Sequence, residues 1–223
     1  MSAIRVAVDV VILAIREGKL QVLLVKRRYA PFQGRWAIPG GFVKEEESLE
    51  SAAQRELEEE TGVRDVYLEQ LYSFGDPGRD PRGRIVSVCY FALLSSGDIA
   101  PKAGTDAADA GWFAAFQPPP LAFDHARILD YALLRLRYKL EWTTAGFQLL
   151  PKKFTLTDIQ KVYEAVLNKR LDKRNFRRKL ALLDVLEPLH EYRSEGAQRP
   201  ARLHRFSAKK FELLKDKGIL FPF

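Results

Sequence analysis

The stretch that most constrains this chain is Gly41–Val63, GFVKEEESLESAAQRELEEETGV, because its glutamates stand where a helix should be apolar. Ser48–Thr61 reads as a helix that Gly62 ends as its C-terminal cap. At about 100° per residue, Leu49, Ala52, Ala53 and Leu57 gather on one face. Glu56 and Glu60 fall in the middle of that face and Glu59 beside them, while Glu50, Ser51, Gln54 and Glu58 point away. A helix that needed its acids only for solubility would place them all on the polar side. Burying like charges costs several kcal/mol per ion unless a cation joins them. Hard divalent ions take such oxygen ligands and bridge to substrate phosphates. Three clustered carboxylates behind a glycine-rich loop therefore point to metal-assisted phosphate chemistry. The competing explanation is a helix end whose glutamates reach solvent or pair with Arg55.

The flanks supply a mixed sheet. Arg5–Glu17 and Leu20–Arg28 are β-branched apolar runs joined at Gly18-Lys19, which predicts a hairpin. A loop rich in turn residues, Tyr29–Lys44, leads to the acidic helix. Val66–Phe74 and Arg84–Leu94 predict strands around the polar loop Gly75–Arg84. Asp98–Asp109 reads as loop, Gly111–Phe116 as a short strand, and Phe123–Leu140 has helical spacing. This order suggests an α+β sandwich over roughly the first 140 residues. The lone cysteine, Cys89, excludes an intramolecular disulfide framework or a Cys-rich zinc site. Its place in a strand predicts burial rather than reactivity. No apolar run approaches the ~20 residues of a membrane span, and the start lacks a signal-peptide layout. The expectation is a soluble cytoplasmic protein with no membrane partner.

The formal charge of +7 is not spread evenly. Residues 141–223 carry 18 Lys and Arg against 10 Asp and Glu, while residues 1–140 carry 18 against 19. The excess thus belongs to the last third, which suggests a second module with a different partner. Leu149-Leu150-Pro151 is the expected linker, dividing a module at 1–148 from one at 149–223. Thr155, with Asp158 three residues on, predicts a capped helix whose stripe is Ile159, Val162, Tyr163, Val166 and Leu167. After a short turn, Asp172 can cap a second helix burying Phe176, Leu180 and Leu183 and turning Arg174, Asn175 and Arg178 outward. Two helices on a tight turn, the second basic outside, form the helix-turn-helix plan. Glu187–Tyr192 and Arg202–Phe206, around the loop RSEGAQRPA, predict a wing. The candidate DNA contacts are Lys173, Arg174, Asn175, Arg177 and Arg178 on the helix, with Arg193, Arg199 and Arg202 in the wing. A small helical or dimerisation domain with solvated arginines is the plainer alternative.

Gly41, Glu47, Arg55, Glu56, Leu57, Glu59, Glu60, Gly62 and Val63 match every specified position of the Nudix box. The preceding QGRWAIPGG resembles the loops of that family. The resemblance implies an α/β/α sandwich in which Glu56, Glu59 and Glu60 bind Mg²⁺ or Mn²⁺. Arg55 would orient those carboxylates and Glu47 would support the loop–helix junction, so Arg55, Glu56, Glu59 and Glu60 are the candidate catalytic residues. FGDPGRDPRGR, LAFDHARIL, FTLTDIQKVYE, LDKRNFRRKL and RPARLHRF extend the likeness over most of the chain. It resembles the Nudix-related transcriptional regulators of NAD metabolism, which join a Nudix domain to a winged helix-turn-helix. The resemblance implies ADP-ribose or a related nucleotide as effector, a double-stranded DNA operator and a homodimer. Many such regulators have a degraded box and no hydrolase activity; this sequence keeps every acidic position, so Mg²⁺-dependent hydrolysis of ADP-ribose-like compounds is the alternative expectation. An RNA-associated Nudix hydrolase would also account for the basic tail.

Trp36, Gly40, Gly41, Arg79 and Arg82 are the candidate ligand-binding residues. Trp36 can stack on a base, the glycines let backbone approach the ligand, and the two arginines suit a diphosphate. Tyr90 and Phe91 point to opposite faces of their strand, so at most one meets ligand. His125, at an apolar helix start, is expected to be structural. His190 and His204 fall in the wing.

Overall fold

The computed structural model describes residues 3–62, 64, 66–95, 107–194 and 199–215. Val63, most of the loop 98–109, and residues 195–198 of the wing loop lie outside them. The chain divides into two compact units, residues 1–16 with 20–135, and residues 17–19 with 136–223.

The first unit is built on a seven-stranded mixed sheet. Its strands are β1 (Arg5–Arg16), β2 (Lys19–Arg27), β3 (Trp36–Ala37), β4 (Gly40–Phe42), β5 (Tyr67–Phe74), β6 (Ile85–Leu94) and β7 (Ala107–Ala114). The order is β3-β2-β1-β6-β5, with β4 paired to β1 and β7 to β2. β1 and β6 run parallel, from Arg5 opposite Ile85 to Ala14 opposite Leu94. Both strands are buried on both faces, as their unbroken apolar runs require of a central parallel pair. Val8, Val10, Ile12, Val88 and Tyr90 pack with Ala52, Ala53 and Leu57 of α1 (Leu49–Thr61). The alternate residues face the other way, toward α2 (His125–Trp142), whose His125 approaches Asp9 and whose Tyr131 stacks on Tyr72 of β5. The sheet is therefore the middle layer of the expected α/β/α sandwich.

Two boundaries differ from expectation. The hairpin turns one residue earlier, at Glu17-Gly18, because these two residues take the positive φ values of a tight two-residue turn (51° and 72°). β7 begins at Ala107, so the end of the expected loop is strand. Its pairing to β2 from Arg27 to Gln21 supplies long-range hydrogen bonds that local composition does not reveal. Among the described residues, no helix is long and apolar enough to cross a membrane.

The second unit contains α3 (Ala145–Gln148), α4 (Leu156–Leu167), α5 (Lys173–Leu183), β8 (Leu186–Arg193), β9 (Ala201–Phe206) and α6 (Ala208–Lys215). Thr155 and Asp158 close a reciprocal capping box on α4, and Asp172 caps α5 by accepting from Asn175 N at 2.8 Å. Asn168, left-handed at φ 52°, ends α4 so that the chain can turn into α5. Ile159, Val162, Tyr163 and Val166 are buried, and Tyr163 meets Phe176 edge-on at 5.5 Å. Leu180 is buried as well, but Leu183 is only half-buried at the last turn of α5. β8 and β9 pair antiparallel as a wing. The expected linker is instead packed: Leu149 and Leu150 are buried, directly after α3. Two adjacent leucines in an exposed connection would forgo their burial energy, and here they take it.

Candidate effector site and nucleic-acid face

One guanidinium organises the acidic end of α1. Arg55 donates from Nε to Glu47 Oε1 at 2.8 Å, from Nη2 to Glu47 Oε2 at 3.0 Å, and from Nη1 to Glu56 Oε1 at 2.5 Å. Glu59 Oε1 lies 3.6 Å from the same Nη1. The fork fastens the loop before α1 to the helix and lines up its carboxylates. The Arg55 hydrogen bond holds the Glu47 carboxyl down at about 2. Burial pushes the Glu56 carboxyl up, against the lowering effect of Arg55. Glu56 and Glu60 are buried while the Glu59 side chain is half exposed, the distribution that the helical spacing predicts.

The two glycines before α1 lie in close contact with their neighbours. A Cβ on Gly41 would run into Glu56 Oε1 and stand 3.0 Å from its carboxyl carbon. A Cβ on Gly40 would run into Val8 O and stand 2.6 Å from Asp9 Oδ1. Among the described residues, no three His, Cys, Asp or Glu side chains already converge as a metal-ligating group. In kind, however, the donors suit a hard cation: they are carboxylate oxygens, and a divalent ion would relieve the buried Glu56 charge.

Gly40 and Gly41 open onto a cavity of about 270 Å³, whose wall includes Asp9, Arg27, Phe42, Arg79, Arg82, Phe123 and His125. Asp9 is the one acid in the apolar run of β1, and it is buried. Ser87 Oγ donates to its Oδ2, and Arg79 Nη2 and His125 Nε2 stand 3.8 and 3.7 Å from its oxygens. Arg79 is buried and grips Asp124 with two bonds, 2.9 and 2.6 Å long. Burial opposes its charge, but the Asp124 bonds and the charges of Asp9 and Asp124 outweigh that and raise its pKa. Arg82 holds Asp80 through Nε at 3.0 Å and Nη2 at 2.6 Å, and its guanidinium lies over Phe42 and Phe123 at 5.1 and 5.3 Å. Both arginines thus line the cavity, each already carrying an aspartate.

Trp36 is not on that wall; its ring meets Phe113 edge-on at 4.6 Å. Tyr90 and Phe91 are both buried in packing on opposite faces of β6. Cys89 is buried, and that burial pushes its thiol pKa up, leaving it inert. Composition did not single out Asp9, Asp124 or Phe123, although an acid inside AVDVVILA is itself a signal that Asp9 has a special partner.

His125 Nδ1 accepts the Ile38 N–H at 2.9 Å, so its remaining proton sits on Nε2, toward Asp9. Burial lowers its pKa from 6.5. The unfolded histidine takes up a proton below that pH while the folded one does not, so stability is full above pH 6.5 and declines as the pH falls. In urea unfolding between pH 5 and 7.5, wild type should lose up to about 1.4 kcal/mol per pH unit on the acid side. His125→Gln should flatten most of that slope; an unchanged slope would refute the assignment.

On α5 the structure brings Lys173, Arg174, Asn175 and Arg178 together, all exposed. Arg178 Nη2 donates to Asn175 Oδ1 at 3.0 Å. Arg177 does not join them; it is half-buried and donates to Thr157 Oγ1 at 3.3 Å. In the wing, Arg193 donates to Asp158 Oδ2 at 2.5 Å and fastens β8 to the capping box of α4. Arg202 donates to Leu189 O at 2.7 Å across the two strands, and Arg199 is exposed ahead of β9. His190 is exposed and His204 half-buried.

Residues 4–132 match the NUDIX domain family, and residues 146–206 match the NrtR DNA-binding winged helix domain. The ADPR responsive transcriptional repressor NtrR of Acinetobacter baylyi is 36% identical over 219 residues, covering 96% of this chain and 87% of that one. The ADP-ribose pyrophosphatase of Methanocaldococcus jannaschii is 42% identical over 127 residues, covering 56% and 72%. The crystal structure of Shewanella oneidensis NrtR complexed with a 27mer DNA aligns with a TM-score of 0.79 at 34% identity, over 93% of this chain and 95% of that one.

Proposed function

This chain belongs to the NrtR family of Nudix proteins with a C-terminal winged helix, and from that premise we propose that it is an ADP-ribose-responsive transcriptional repressor controlling genes of NAD metabolism. The observation that carries the reading is the outward face of α5, where Lys173, Arg174, Asn175 and Arg178 stand exposed on a capped helix of a winged helix-turn-helix. That face enters the major groove, with Arg199 meeting phosphate from the wing. Arg177, Arg193 and Arg202, committed to protein partners, shape the surface that meets DNA. Functionally the Nudix module is residues 1–148 and the DNA module residues 149–223. The protein acts in the cytoplasm as a homodimer, so that two α5 helices meet half-sites ~34–36 Å apart.

ADP-ribose or a related NAD-derived nucleotide occupies the cavity beside Gly40 and Gly41, with Arg79 and Arg82 on its wall. Glu56, Glu59 and Glu60 would hold Mg²⁺ or Mn²⁺, which supplies charge neutralisation and Lewis acidity at the diphosphate. Arg55 positions those carboxylates. The test is fluorescence anisotropy of duplex DNA titrated with the protein, repeated with ADP-ribose. Affinity should fall steeply with salt, as phosphate contacts require, and should change on adding the nucleotide. Absence of DNA binding at low salt would refute the repressor reading.

The intact carboxylate array favours a second activity, hydrolysis of ADP-ribose in the same cavity. Incubation with Mg²⁺ or Mn²⁺ should release AMP, and Glu59→Gln should abolish the release. No detectable AMP from the wild type would refute this activity and leave the sensor reading intact.

A further inference from the structure

The outward face of α5 ends in an apolar residue that stands exposed among the described residues. Leu182 is 81% exposed, while Leu180 beside it is buried and Leu183 half-buried. Arg174, Arg178 and Leu182 are spaced four apart, so they form one row along the exposed side of the helix. Asn175 borders the row and orients the Arg178 fork by accepting from Nη2. A row of two guanidinium groups and one aliphatic tip suits a surface that offers acceptors and an apolar group side by side. The major groove does so: guanine presents N7 and O6 to an arginine fork, and thymine presents its C5-methyl.

Building on the DNA-binding reading above, we infer that Leu182 reads a thymine methyl and Arg178 a guanine near it in each half-site. Arg178 and Leu182 are one helical turn apart, about 6 Å along the axis. That span places the thymine within about two base pairs of the guanine, at ~3.4 Å per step. The cationic part of the row holds the helix in the groove, and Leu182 adds discrimination against cytosine, which lacks the methyl.

The test uses the full chain and a randomised duplex pool, from which the preferred sequence is selected. Each thymine of that sequence is then replaced in turn by deoxyuridine, which removes the methyl and nothing else. Wild type should lose about fourfold in affinity at one thymine per half-site, the worth of one buried methyl group. Leu182→Ala should bind weaker and show no loss at that position. Replacing the neighbouring guanine by 7-deazaguanine should weaken both proteins. Wild-type indifference to deoxyuridine at every thymine, or a penalty that survives in Leu182→Ala, would overturn the inference. The second result would assign Leu182 to another contact, such as a second copy of the chain. A pool that enriches no sequence would overturn the DNA-binding reading itself. Leu182→Ala should melt at the wild-type temperature, since the leucine is 81% exposed.

Discussion

Arg79→Ala should lower the unfolding free energy by about 3–5 kcal/mol, the cost of removing one member of a buried ion pair. The side chain is 5% exposed and its fork is filled by both oxygens of Asp124. It also faces Asp9 at 3.8 Å. Without the guanidinium, Asp124 and Asp9 share a low-dielectric pocket with no cation between them, and the neutral His125 cannot replace it. Arg79→Lys should recover part of the loss, because it restores the charge but not the two-bond geometry. Asp124→Asn on the alanine background should also recover part, since it removes one stranded charge. Arg82→Ala is the comparison: its guanidinium is about one-third exposed, so water screens part of its pair with the buried Asp80 and the loss should be smaller than for Arg79→Ala. Urea unfolding followed by tryptophan fluorescence measures all four. Equal small losses for Arg79→Ala and Arg82→Ala would show that Arg79 is not the structural member of the two.

The second large effect separates two adjacent glycines. Gly40→Ala drives a methyl group into the carbonyl of Val8, a backbone atom of β1 that is held by β6 on one side and β4 on the other. The strand cannot move without breaking its ladder, so the variant should lose about 3 kcal/mol and melt early. Gly41→Ala meets a side chain instead. Glu56 can swing away from the new methyl, but only by leaving Arg55 Nη1. The protein should stay folded and lose divalent-cation affinity by about 10–100-fold, the usual penalty for disturbing the support of a ligand. Calorimetric titration with Mn²⁺ and ADP-ribose, alongside thermal melting, distinguishes the two substitutions. Wild-type cation binding by Gly41→Ala would remove Glu56 from the proposed metal set.

The helices of the second unit show how far local sequence reaches. Thr155 with Asp158 and Asp172 with Asn175 are caps that close within three residues, and each forms as the spacing requires. The burial of Glu56 and Glu60 follows the helical period in the same way. The linker expectation failed at Leu149 and Leu150 because composition does not tell an exposed connection from one packed into the core. The cavity arginines were recognised as residues but not as pairs. Arg79 finds Asp124 45 positions away, and Asp9 finds Ser87 78 positions away.

The amino-acid sequence by itself determined the two modules, the caps and stripes of their helices, the acidic face of α1 and the basic face of α5. The modules follow from the uneven charge, and the helix features rest on periodicity or on hydrogen bonds closed within a turn, so neighbours in the chain suffice to define them. Only the tertiary structure decided which arginines support the fold and which remain exposed, why a side chain at Gly40 meets backbone and one at Gly41 meets Glu56, and that Asp9 and His125 both line the cavity. A charged or polar side chain takes its partner from whatever the sheet and helices bring within about 4 Å, and that proximity is created by burying the core, not by the order of residues along the chain.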